Sequence, residues 1–382
     1  MRKKKFSVIG KPLTRVDAMA KCAGETRYAD DFSLPRTIYA KLLRSPHPHA
    51  RLRSISTERA ASLDGVHAVI TGKDLPEKFG IMPSTQDEEA LVVEKVRYVG
   101  DPVAAVAASS ETLAEKALEL IDVEYEILKP VLSIEEALAE VDNRIHSWNR
   151  HANVQKAVSL EFGDMAQGFD GADHIYEDTF FFQGNTHLPM EQYCAIGLHG
   201  PDGKLTVWSS TQTPHYLHRA LSKVLGLPMS RIRVIATPVG GGFGGKSDPF
   251  SHELSVAKLS MITGRPVKIT LTREESFYVH RGRHPVKMWI KTGVKNDGTL
   301  KAMHFRSFLD GGGYSSYGLA SVYYTGALQT VTYNLPAYKF EGARVFTNKP
   351  PCGPKRGHGT PQPRFAVEVQ LDEIAEKLGI DP

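Results

Sequence analysis

Cysteine is scarce in this chain. Only three of the 382 residues are cysteines, Cys22, Cys194 and Cys352, and no two of them form a C-x-x-C pair. An iron–sulfur cluster or a cysteine-rich zinc site needs several closely spaced thiolates, so this chain alone can build neither. The sparse and odd count is typical of a protein in a reducing compartment and predicts a cytoplasmic location.

Other absences narrow the possible functions. No apolar run approaches the roughly 18 residues of a membrane span, and the 15 histidines form no H-E-x-x-H zinc motif. The net charge of +4 is spread along the chain, and the only basic run, at residues 2–5, is typical of a short solvated tail. We therefore expect neither a membrane nor a nucleic-acid partner. His47 and His49 stand two residues apart in a proline-containing turn, which predicts a solvated loop rather than a metal site.

The hydrophobic pattern predicts an α+β protein with two domains. Short strand-like segments alternate with a helical segment through residues 1–130, which predicts a compact first domain there. Residues 131–154 are expected to form a linker with one short helix. Strand signals dominate from residue 155, where Asp202 and Asp297 each precede a glycine in a strong hairpin turn. Residues 155–382 are therefore predicted to form the second domain.

The most informative segment is glycine-rich and reads GGGFGGKS at residues 240–247. A strand-like segment precedes it and a helical segment follows it. Glycine lets backbone N–H groups approach a ligand closely, because it has no Cβ. The helix start adds unpaired donors and a partial positive charge. The segment therefore predicts binding of a phosphate, a pyrophosphate or another oxyanion.

Two known patterns match this segment. It satisfies G-x-x-x-x-G-K-[ST], the phosphate loop of nucleotide hydrolases, from Gly240 to Ser247, and G-x-G-x-x-G, the dinucleotide fingerprint, from Gly240 to Gly245. The fingerprint normally lies near the start of its domain, whereas this loop begins only at Gly240, far from the start of the chain. The phosphate loop requires a strand that ends in a magnesium-binding aspartate, for which Asp310 is a weak candidate. Three interpretations of the segment therefore remain: the phosphate loop of a nucleotide hydrolase, a binding loop for some other oxyanion, and a plain turn without a ligand.

Two further motifs flank the glycine-rich segment, SSTQTP at residues 209–214 and RGHGTPQ at residues 356–362. In this order and spacing the three motifs resemble the molybdenum hydroxylases, the family of xanthine dehydrogenase, aldehyde oxidase and carbon monoxide dehydrogenase. The resemblance covers essentially the whole chain, and GETRYAD, RSPH and YVGDPV in its first part resemble the family's α/β hammerhead domain. It implies a hammerhead domain followed by the first half of a mixed α+β molybdopterin-binding domain.

The resemblance also implies a cofactor, molybdenum with a molybdopterin (cytosine) dinucleotide. The dithiolene of that cofactor holds the metal, so the protein needs no cysteine ligand. Gln212 looks like the glutamine that hydrogen-bonds the apical oxo group, and Arg356 like the arginine whose main chain lies beside the metal. Their non-functional alternatives are a buried turn amide and a surface salt bridge. Phe243 and Gly244 look like the segment that faces the metal's ligands, so Gln212, Phe243 and Arg356 are the residues expected at the metal. The implied cofactor-binding set is Gln212, Gly241, Gly242, Phe243, Gly244, Gly245, Arg356 and Gly357.

The expected substrate residues depart from the purine-oxidising members of the family. Ser247, Tyr324 and His358 stand where purine dehydrogenases carry a glutamate, an arginine and a phenylalanine. The groups that polarise a purine ring are therefore missing, which argues against xanthine. YTGAL, HRGR and PPCG, followed by RGHGT, most resemble the 4-hydroxybenzoyl-CoA reductase branch, which acts on an aromatic acyl-CoA thioester. Tyr324 suits an aromatic ring, although a packed core tyrosine is the alternative.

The resemblance finally implies partners. Family members continue for several hundred residues beyond the end of this sequence. The further part carries more pterin contacts and the glutamate that acts as general base, so no residue here is assigned that catalytic role. We expect either a fragment or one of two polypeptides that share a site, inactive without the C-terminal half, with a non-catalytic scaffold as the alternative. An iron–sulfur (2Fe-2S) subunit, an FAD subunit and a dimer of heteromers are also implied.

Overall fold

The computed structural model describes residues 6–382, and the basic run at residues 2–5 lies outside this range. Its strands are β1 (Ile38–Arg44), β2 (Ala50–Ser56), β3 (Val66–Thr71), β4 (Lys95–Val96), β5 (Pro102–Ala108), β6 (Asp122–Ile127), β7 (Val154–Phe162), β8 (His174–Phe182), β9 (Cys194–His199), β10 (Leu205–Ser209), β11 (Ile232–Ala236), β12 (Val267–Thr270), β13 (Val286–Val294), β14 (Leu300–Asp310) and β15 (Ala337–Val345).

The helices lie between these strands and at both ends of the series. The α-helices are α1 (Ala18–Cys22), α2 (Glu58–Ala61), α3 (Glu111–Leu118), α4 (Ile134–Ala139), α5 (Met165–Asp170), α6 (Pro214–Leu225), α7 (Ser251–Thr263), α8 (Glu275–Tyr278), α9 (Gly318–Ala327) and α10 (Pro361–Leu378). Short 3-10 helices cover Ala29–Asp31, Gly72–Asp74, Met229–Arg231 and Leu328–Val331. The mixture of sheets and helices confirms the predicted α+β class.

The largest sheet has seven strands in the order β11-β10-β9-β12-β1-β5-β3. Strand β1 lies inside it, parallel to β12, where Ile38 is level with Val267, and antiparallel to β5. Strands of the predicted first domain and strands of the predicted second domain therefore share one sheet. The two parts of the chain on either side of the predicted linker are thus also joined through hydrogen bonds between β1 and β12.

A second sheet has five strands in the order β7-β15-β14-β13-β8. Strands β14 and β15 run parallel, and the other pairs are antiparallel. Side chains alternate between buried and less buried along most of β13, as expected for a strand with one face on the core. Helices α9 and α10 pack on this sheet around a core that includes Phe305, Tyr338 and Phe340. A small third sheet has the order β4-β2-β6.

Helix α7 packs against β9 and anchors the glycine-rich loop that precedes it. The helix and strand approach closely because Gly197 on β9 has no side chain. A Cβ there would lie 2.8 Å from the carbonyl oxygen of Val256 on α7. Leu254, Val256 and Leu259 of the helix are fully buried. The end of the glycine-rich loop is therefore fixed to the core of the larger sheet.

Two further observations concern membrane-length helices and the histidines. No helix within residues 6–382 combines the length and the apolar character that crossing a membrane requires. The prediction of a solvated loop at His49 is wrong, because that side chain is buried and its Nδ1 lies 2.8 Å from the carbonyl oxygen of Lys129. The part of the chain described by the structure also contains no group of three or more potential metal ligands.

Candidate functional site

The glycine-rich loop joins β11 to α7 through a backbone that few residue types tolerate. Gly241 has a φ of +105° and Gly244 a φ of +95°, values that glycine adopts without a steric cost. Phe243 lies between them with a φ of +52° despite its large side chain, which is 47% exposed. A strained residue with an exposed aromatic ring is more typical of a functional loop than of a plain turn.

Two other glycines allow neighbouring segments to pack against the loop. A Cβ on Gly242 would lie 2.5 Å from Oε1 of Gln212. A Cβ on Gly245 would lie 2.7 Å from the imidazole of His187. Both distances are too short for a real carbon atom, so these glycines are required for the loop to contact the segments that carry Gln212 and His187.

Lys246 is buried, and its ammonium group binds other residues of the protein. Its Nζ lies 2.6 Å from Oε2 of Glu191 and 3.2 Å from the carbonyl oxygen of Gln192. The same carboxylate oxygen accepts a hydrogen bond from the backbone N–H of Gly240 at 2.8 Å. Burial lowers the pKa of Lys246, and the Glu191 carboxylate opposes that shift. One largely buried carboxylate therefore holds both ends of the loop.

Gln212 holds the middle of the loop with one end of its side chain. Its Oε1 accepts from the backbone N–H of Gly244 at 3.0 Å and from that of Lys246 at 3.3 Å. The residue is exposed, and its Nε2 has no hydrogen-bond partner within residues 6–382. The carboxamide NH2 is thus left as a donor at the surface. The interpretation of Gln212 as a buried turn amide is wrong.

The RGHG segment is hydrogen-bonded to the glycine-rich loop. The backbone N–H of Arg356 donates to the carbonyl oxygen of Phe243 at 2.9 Å. The carbonyl oxygen of Arg356 accepts from Nη2 of Arg283 at 2.5 Å. Arg356 and Gly357 are exposed, and Gly357 has a φ of +81°. Arg356 forms no salt bridge within the described range, so its interpretation as a surface ion pair is also wrong.

The three expected substrate residues lie along one connected series of contacts. Ser247 accepts a 2.5 Å hydrogen bond at its carbonyl oxygen from Oγ1 of Thr213, just before α6. The series then continues through aromatic rings to the RGHG segment. In order, the residues are Ser247, Thr213, Tyr216, Tyr317, His358 and Tyr324, and the backbone N–H of Tyr216 donates to the carbonyl oxygen of Thr213 at 3.0 Å.

The rings of this series meet at right or steep angles. The His358 ring lies 6.1 Å from that of Tyr317 and 5.7 Å from that of Tyr324, both edge to face. Tyr324 is 40% exposed, so it is not a core tyrosine. Burial, aided by the charges of Arg283 and Arg344, lowers the pKa of His358 to about 4. His358 is therefore a neutral imidazole at neutral pH, with Nε2 2.5 Å from Oγ of Ser321.

A buried ionic network supports the loop from behind. Asp248 follows the loop and accepts from Nε of Arg281 at 3.1 Å and from Oγ of Ser316 at 2.5 Å. The guanidinium of Arg281 also pairs with Glu88. Burial raises the pKa of both carboxyl groups, and Arg281 opposes the shift. Through Glu88, the network joins the predicted first domain to the glycine-rich loop.

Two helices begin next to these residues. Thr213 precedes α6 and Thr360 precedes α10, each helix has a proline at its start, and neither has an acidic residue in its first turn. Helix N-termini carry a partial positive charge and attract anions. The surface around Gln212 and Arg356 therefore suits an anionic, oxygen-rich ligand.

The geometry argues against a nucleotide hydrolase. In such an enzyme the loop amides and the lysine face the phosphates. Here the amides of Gly240, Gly244 and Lys246 bond to side chains of the protein, and the Lys246 ammonium is paired with Glu191. Asp310, the candidate magnesium ligand, ends β14 in the other sheet and pairs with Lys349.

Comparison with known proteins agrees with the site geometry. A family model described as the molybdopterin cofactor-binding domain matches residues 145–382. Another, described as the aldehyde oxidase and xanthine dehydrogenase a/b hammerhead domain, matches residues 23–129. The chain belongs to the molybdenum hydroxylase family. The predicted hammerhead and molybdopterin-binding folds are thereby confirmed.

Individual molybdenum hydroxylases match almost the whole chain. The nicotinate dehydrogenase large molybdopterin subunit of Eubacterium barkeri is 38% identical over 99% of this chain and 88% of that protein. A probable xanthine dehydrogenase subunit of Bacillus subtilis is also 38% identical, over 98% of this chain, but this covers only 50% of that protein. The chain thus spans about half the length of several relatives and most of the length of one.

Solved structures of molybdenum hydroxylases share the fold. An aldehyde oxidoreductase from Desulfovibrio gigas superposes with a TM-score of 0.90 at 33% identity, over 96% of this chain and 42% of that one. Quinoline 2-oxidoreductase from Pseudomonas putida 86 gives a TM-score of 0.89 at 31% identity, over 97% of this chain and 48% of that one. The mixed architecture described above is therefore the architecture of this family.

Sequence reasoning misses three residues that hold the site together, Glu191, His187 and Arg283. Glu191 binds both ends of the glycine-rich loop, and Nε2 of His187 lies 2.7 Å from the carbonyl oxygen of Pro354. Arg283 binds the carbonyl oxygen of Arg356. Neither Glu191 nor His187 belongs to a short motif. In the sequence, the HRGR segment, which contains Arg283, contributes only to the resemblance to the 4-hydroxybenzoyl-CoA reductase branch.

Proposed function

We propose that this chain is the first half of the molybdopterin-binding part of a molybdenum hydroxylase, with a hammerhead domain at residues 1–130, a linker at 131–154 and the cofactor-binding half at 155–382. The observation that carries the proposal is the direct bonding of three distant segments. Gln212 bonds to the glycine-rich loop, and Phe243 of that loop bonds to Arg356. Each of these three residues is also exposed.

The residues present fit a molybdopterin dinucleotide. The free NH2 group of Gln212, the guanidinium of Arg356, which has no acidic partner among the described residues, and two helix starts without acids all favour anionic oxygens. When bound, the cofactor supplies two-electron redox chemistry with water as the oxygen source. We assign cofactor contacts to Gln212, Gly241, Gly242, Phe243, Gly244, Gly245, Arg356 and Gly357.

The chain's own contribution is to orient and to donate hydrogen bonds. Oε1 of Gln212 is held by two loop amides, which fixes its NH2 group in place before any ligand arrives. A donor that needs no reorganisation stabilises developing negative charge more than a mobile one does. Arg283 and Phe243 hold the main chain of Arg356 from both sides. We therefore place Gln212, Phe243 and Arg356 nearest the metal.

We propose an aromatic substrate. Net hydroxylation replaces a C–H bond by a C–O bond from water and releases two electrons and two protons; reductive dehydroxylation is the reverse. Tyr324 and His358 present ring edges and faces at the site, with Ser247 at the far end of the same series. Two relatives support this class, since their names carry nicotinate and quinoline, both aromatic. An aromatic acyl-CoA is the specific candidate within the class.

The remaining parts of the enzyme lie on other polypeptides in this proposal. A C-terminal-half polypeptide provides the general-base glutamate and further pterin contacts. A 2Fe-2S subunit and an FAD subunit carry electrons, in a cytoplasmic dimer of heteromers. Support comes from the coverage of the relatives, since the Bacillus subtilis protein is twice as long as the matched segment whereas the Eubacterium barkeri subunit is not.

The test is to co-express the chain with the polypeptides encoded beside it and to purify the assembly through this chain. Molybdenum is measured by elemental analysis and pterin by fluorescence after oxidation. We expect both, with oxidation or reduction of an aromatic substrate. An active assembly without molybdenum would overturn the proposal. An assembly that includes a C-terminal-half polypeptide but has neither metal nor turnover would instead support the scaffold alternative.

A further inference from the structure

Arg283 is a buried cation without an acidic partner. It is 7% exposed, and no carboxylate of residues 6–382 lies within 4.0 Å of its guanidinium. Its two hydrogen bonds go to neutral acceptors, the carbonyl oxygen of Arg356 at 2.5 Å and Oε1 of Gln362 at 3.4 Å. Burying a charge without a counter-charge is costly. The Arg283 guanidinium therefore has two neutral acceptors and no counter-charge within residues 6–382.

Other buried arginines of the chain are compensated. Arg281 pairs with Glu88 and Asp248. Arg344 has no carboxylate at salt-bridge distance within the described range, but its guanidinium donates five hydrogen bonds to neutral acceptors. Arg283 has neither kind of compensation. Burial lowers the pKa of its guanidinium, and no neighbouring acid of the described chain acts to raise it.

Two more cations stand beside Arg283, and they also lack acidic partners. Lys355 and Arg356 lie in the loop that leads into α10, and neither forms a salt bridge within residues 6–382. Burial and the charges of Arg283 and Arg356 lower the pKa of Lys355. Lys355 and Arg283 in turn help to lower the pKa of His187. The loop therefore carries an excess of positive charge in front of a helix N-terminus.

We propose that Arg283, Lys355 and Arg356 form an oxyanion site at the start of α10, which binds a phosphate or carboxylate group of the ligand. An oxyanion there compensates the buried charge of Arg283 and accepts charge-assisted hydrogen bonds from the two loop cations. Arg283 also fixes the carbonyl oxygen of Arg356, so anion binding and the position of the RGHG segment are coupled. The nature of the whole ligand rests on the proposed function, whereas the charge imbalance does not.

The experiment follows thermal unfolding of the full chain with sodium phosphate, sodium benzoate or sodium chloride at equal ionic strength. Phosphate represents the phosphate groups of the dinucleotide cofactor or of an acyl-CoA substrate, and benzoate represents an aromatic carboxylate substrate. Lys355→Gln and Arg283→Gln each remove one charge from the site. Lys287→Gln is the matched control, because it removes one positive charge from an exposed pair with Glu135 elsewhere.

We expect the wild-type midpoint to rise with phosphate, benzoate or both, and to rise less with chloride. Lys355→Gln should weaken the apparent affinity for the responding anion by about tenfold, and Lys287→Gln should leave it unchanged. Arg283→Gln keeps a donor for Arg356. It should unfold at or above the wild-type temperature without anion and lose the response, an outcome that a merely structural arginine would not give.

Each outcome has a definite meaning. A response to phosphate alone assigns the site to a phosphate group of the cofactor or of an acyl-CoA substrate, and a response to benzoate alone assigns it to an aromatic carboxylate substrate. No anion response beyond that of chloride overturns the inference, as does an equal response in wild type and Lys355→Gln, even if Arg283→Gln does not fold. Molybdenum content of the co-expressed assembly is scored separately, so the oxyanion site and the proposed function can fail independently.

Discussion

Oε2 of Glu191 lies 2.6 Å from Nζ of Lys246 and 2.8 Å from the backbone nitrogen of Gly240, so one carboxylate ties together the two ends of the glycine-rich loop. This contact engages groups that would face a phosphate in a nucleotide-hydrolase loop. The lysine that would reach a phosphate is buried in the protein and already paired. The loop instead presents Phe243 and the amide-bound Gln212 at the surface.

The Glu191–Lys246 pair should behave as a coupled unit. Glu191→Gln leaves the buried Lys246 and Lys246→Met leaves the largely buried Glu191 without its partner, and each should lower the free energy of unfolding by about 3 kcal/mol. The double variant should cost clearly less than the sum, because no lone charge remains. Urea denaturation of the four proteins gives the cycle. Additive effects would show that the two side chains are not coupled.

Gln212 should matter through its NH2 group. Gln212→Glu keeps an acceptor for the amides of Gly244 and Lys246 but removes the free donor, whereas Gln212→Ala removes both. In the reconstituted enzyme the glutamate variant should keep a folded loop and normal molybdenum content, yet lose on the order of 10²-fold in kcat. Circular dichroism, metal analysis and turnover are measured together. Unchanged turnover in the glutamate variant would contradict the donor role.

Glu253 should make stability depend on pH. It is buried in the first turn of α7, where it accepts from Oγ of Ser209 and from the backbone N–H of Phe250. Burial raises its pKa from 4.5 to about 7. The folded state thus retains a proton that the unfolded chain releases, so this group lowers stability as the pH rises from about 4.5 to about 7.

Comparison with Glu253→Gln isolates this effect. The carboxamide does not titrate; its oxygen can accept from the Phe250 N–H, and its NH2 group can donate to Oγ of Ser209 in place of accepting from it. Between pH 4.5 and 8 the difference in free energy of unfolding should shift by up to about 3 kcal/mol in favour of the variant. Chemical denaturation at several pH values measures it. Parallel pH profiles for the two proteins would show that Glu253 titrates normally.

Tyr324 and Tyr323 provide a matched pair for the substrate proposal. They are adjacent and similarly exposed, at 40% and 48%, but of the two only Tyr324 contacts the ring of His358. Tyr324→Ala should raise the KM for an aromatic substrate about tenfold, since it removes a ring contact at the site, and Tyr323→Ala should not. Steady-state kinetics with hydroxybenzoyl-CoA, nicotinate and xanthine decide the matter. Xanthine as the best substrate would refute the aromatic assignment.

Local pattern is sufficient for many of the regular elements. Strand β10 shows this, because Leu205 and Val207 alternate with Thr206 and the Asp202-Gly203 turn precedes them. The sequence pattern does not predict strand β15 or helix α9, and both contain glycine. Gly326 of α9 and Gly342 of β15 each pack against the ring of Phe340. Glycine is unfavourable in both helices and strands, so these two residues weaken the local sequence pattern. They are required because a larger residue at either position would clash with Phe340.

The residues of the candidate site also fall into two groups, those that the sequence indicates and those that it does not. Gln212, the glycine-rich loop and Arg356 occur in motifs, so the sequence indicates them. Glu191 acts on a residue 55 positions away, and Arg283 on one 73 positions away. Neither has a local pattern that could reveal its partner. The sequence motifs therefore indicate the exposed residues of the candidate site. The residues that hold those motifs in place, Glu191 and Arg283, can be identified only from the structure.

The position of strand β1 in the sheet finally has a consequence for folding during synthesis. One of its edges pairs with β5, which belongs to the same predicted domain, but its other edge begins to pair with β12 at Ile38 and Val267. During synthesis on the ribosome, the predicted first domain therefore emerges long before that edge can be covered. An exposed strand edge promotes wrong association. The seven-stranded sheet is completed only after β12 has been translated, so the end of β1 at Ile38 and Tyr39 has no strand partner on that edge until then.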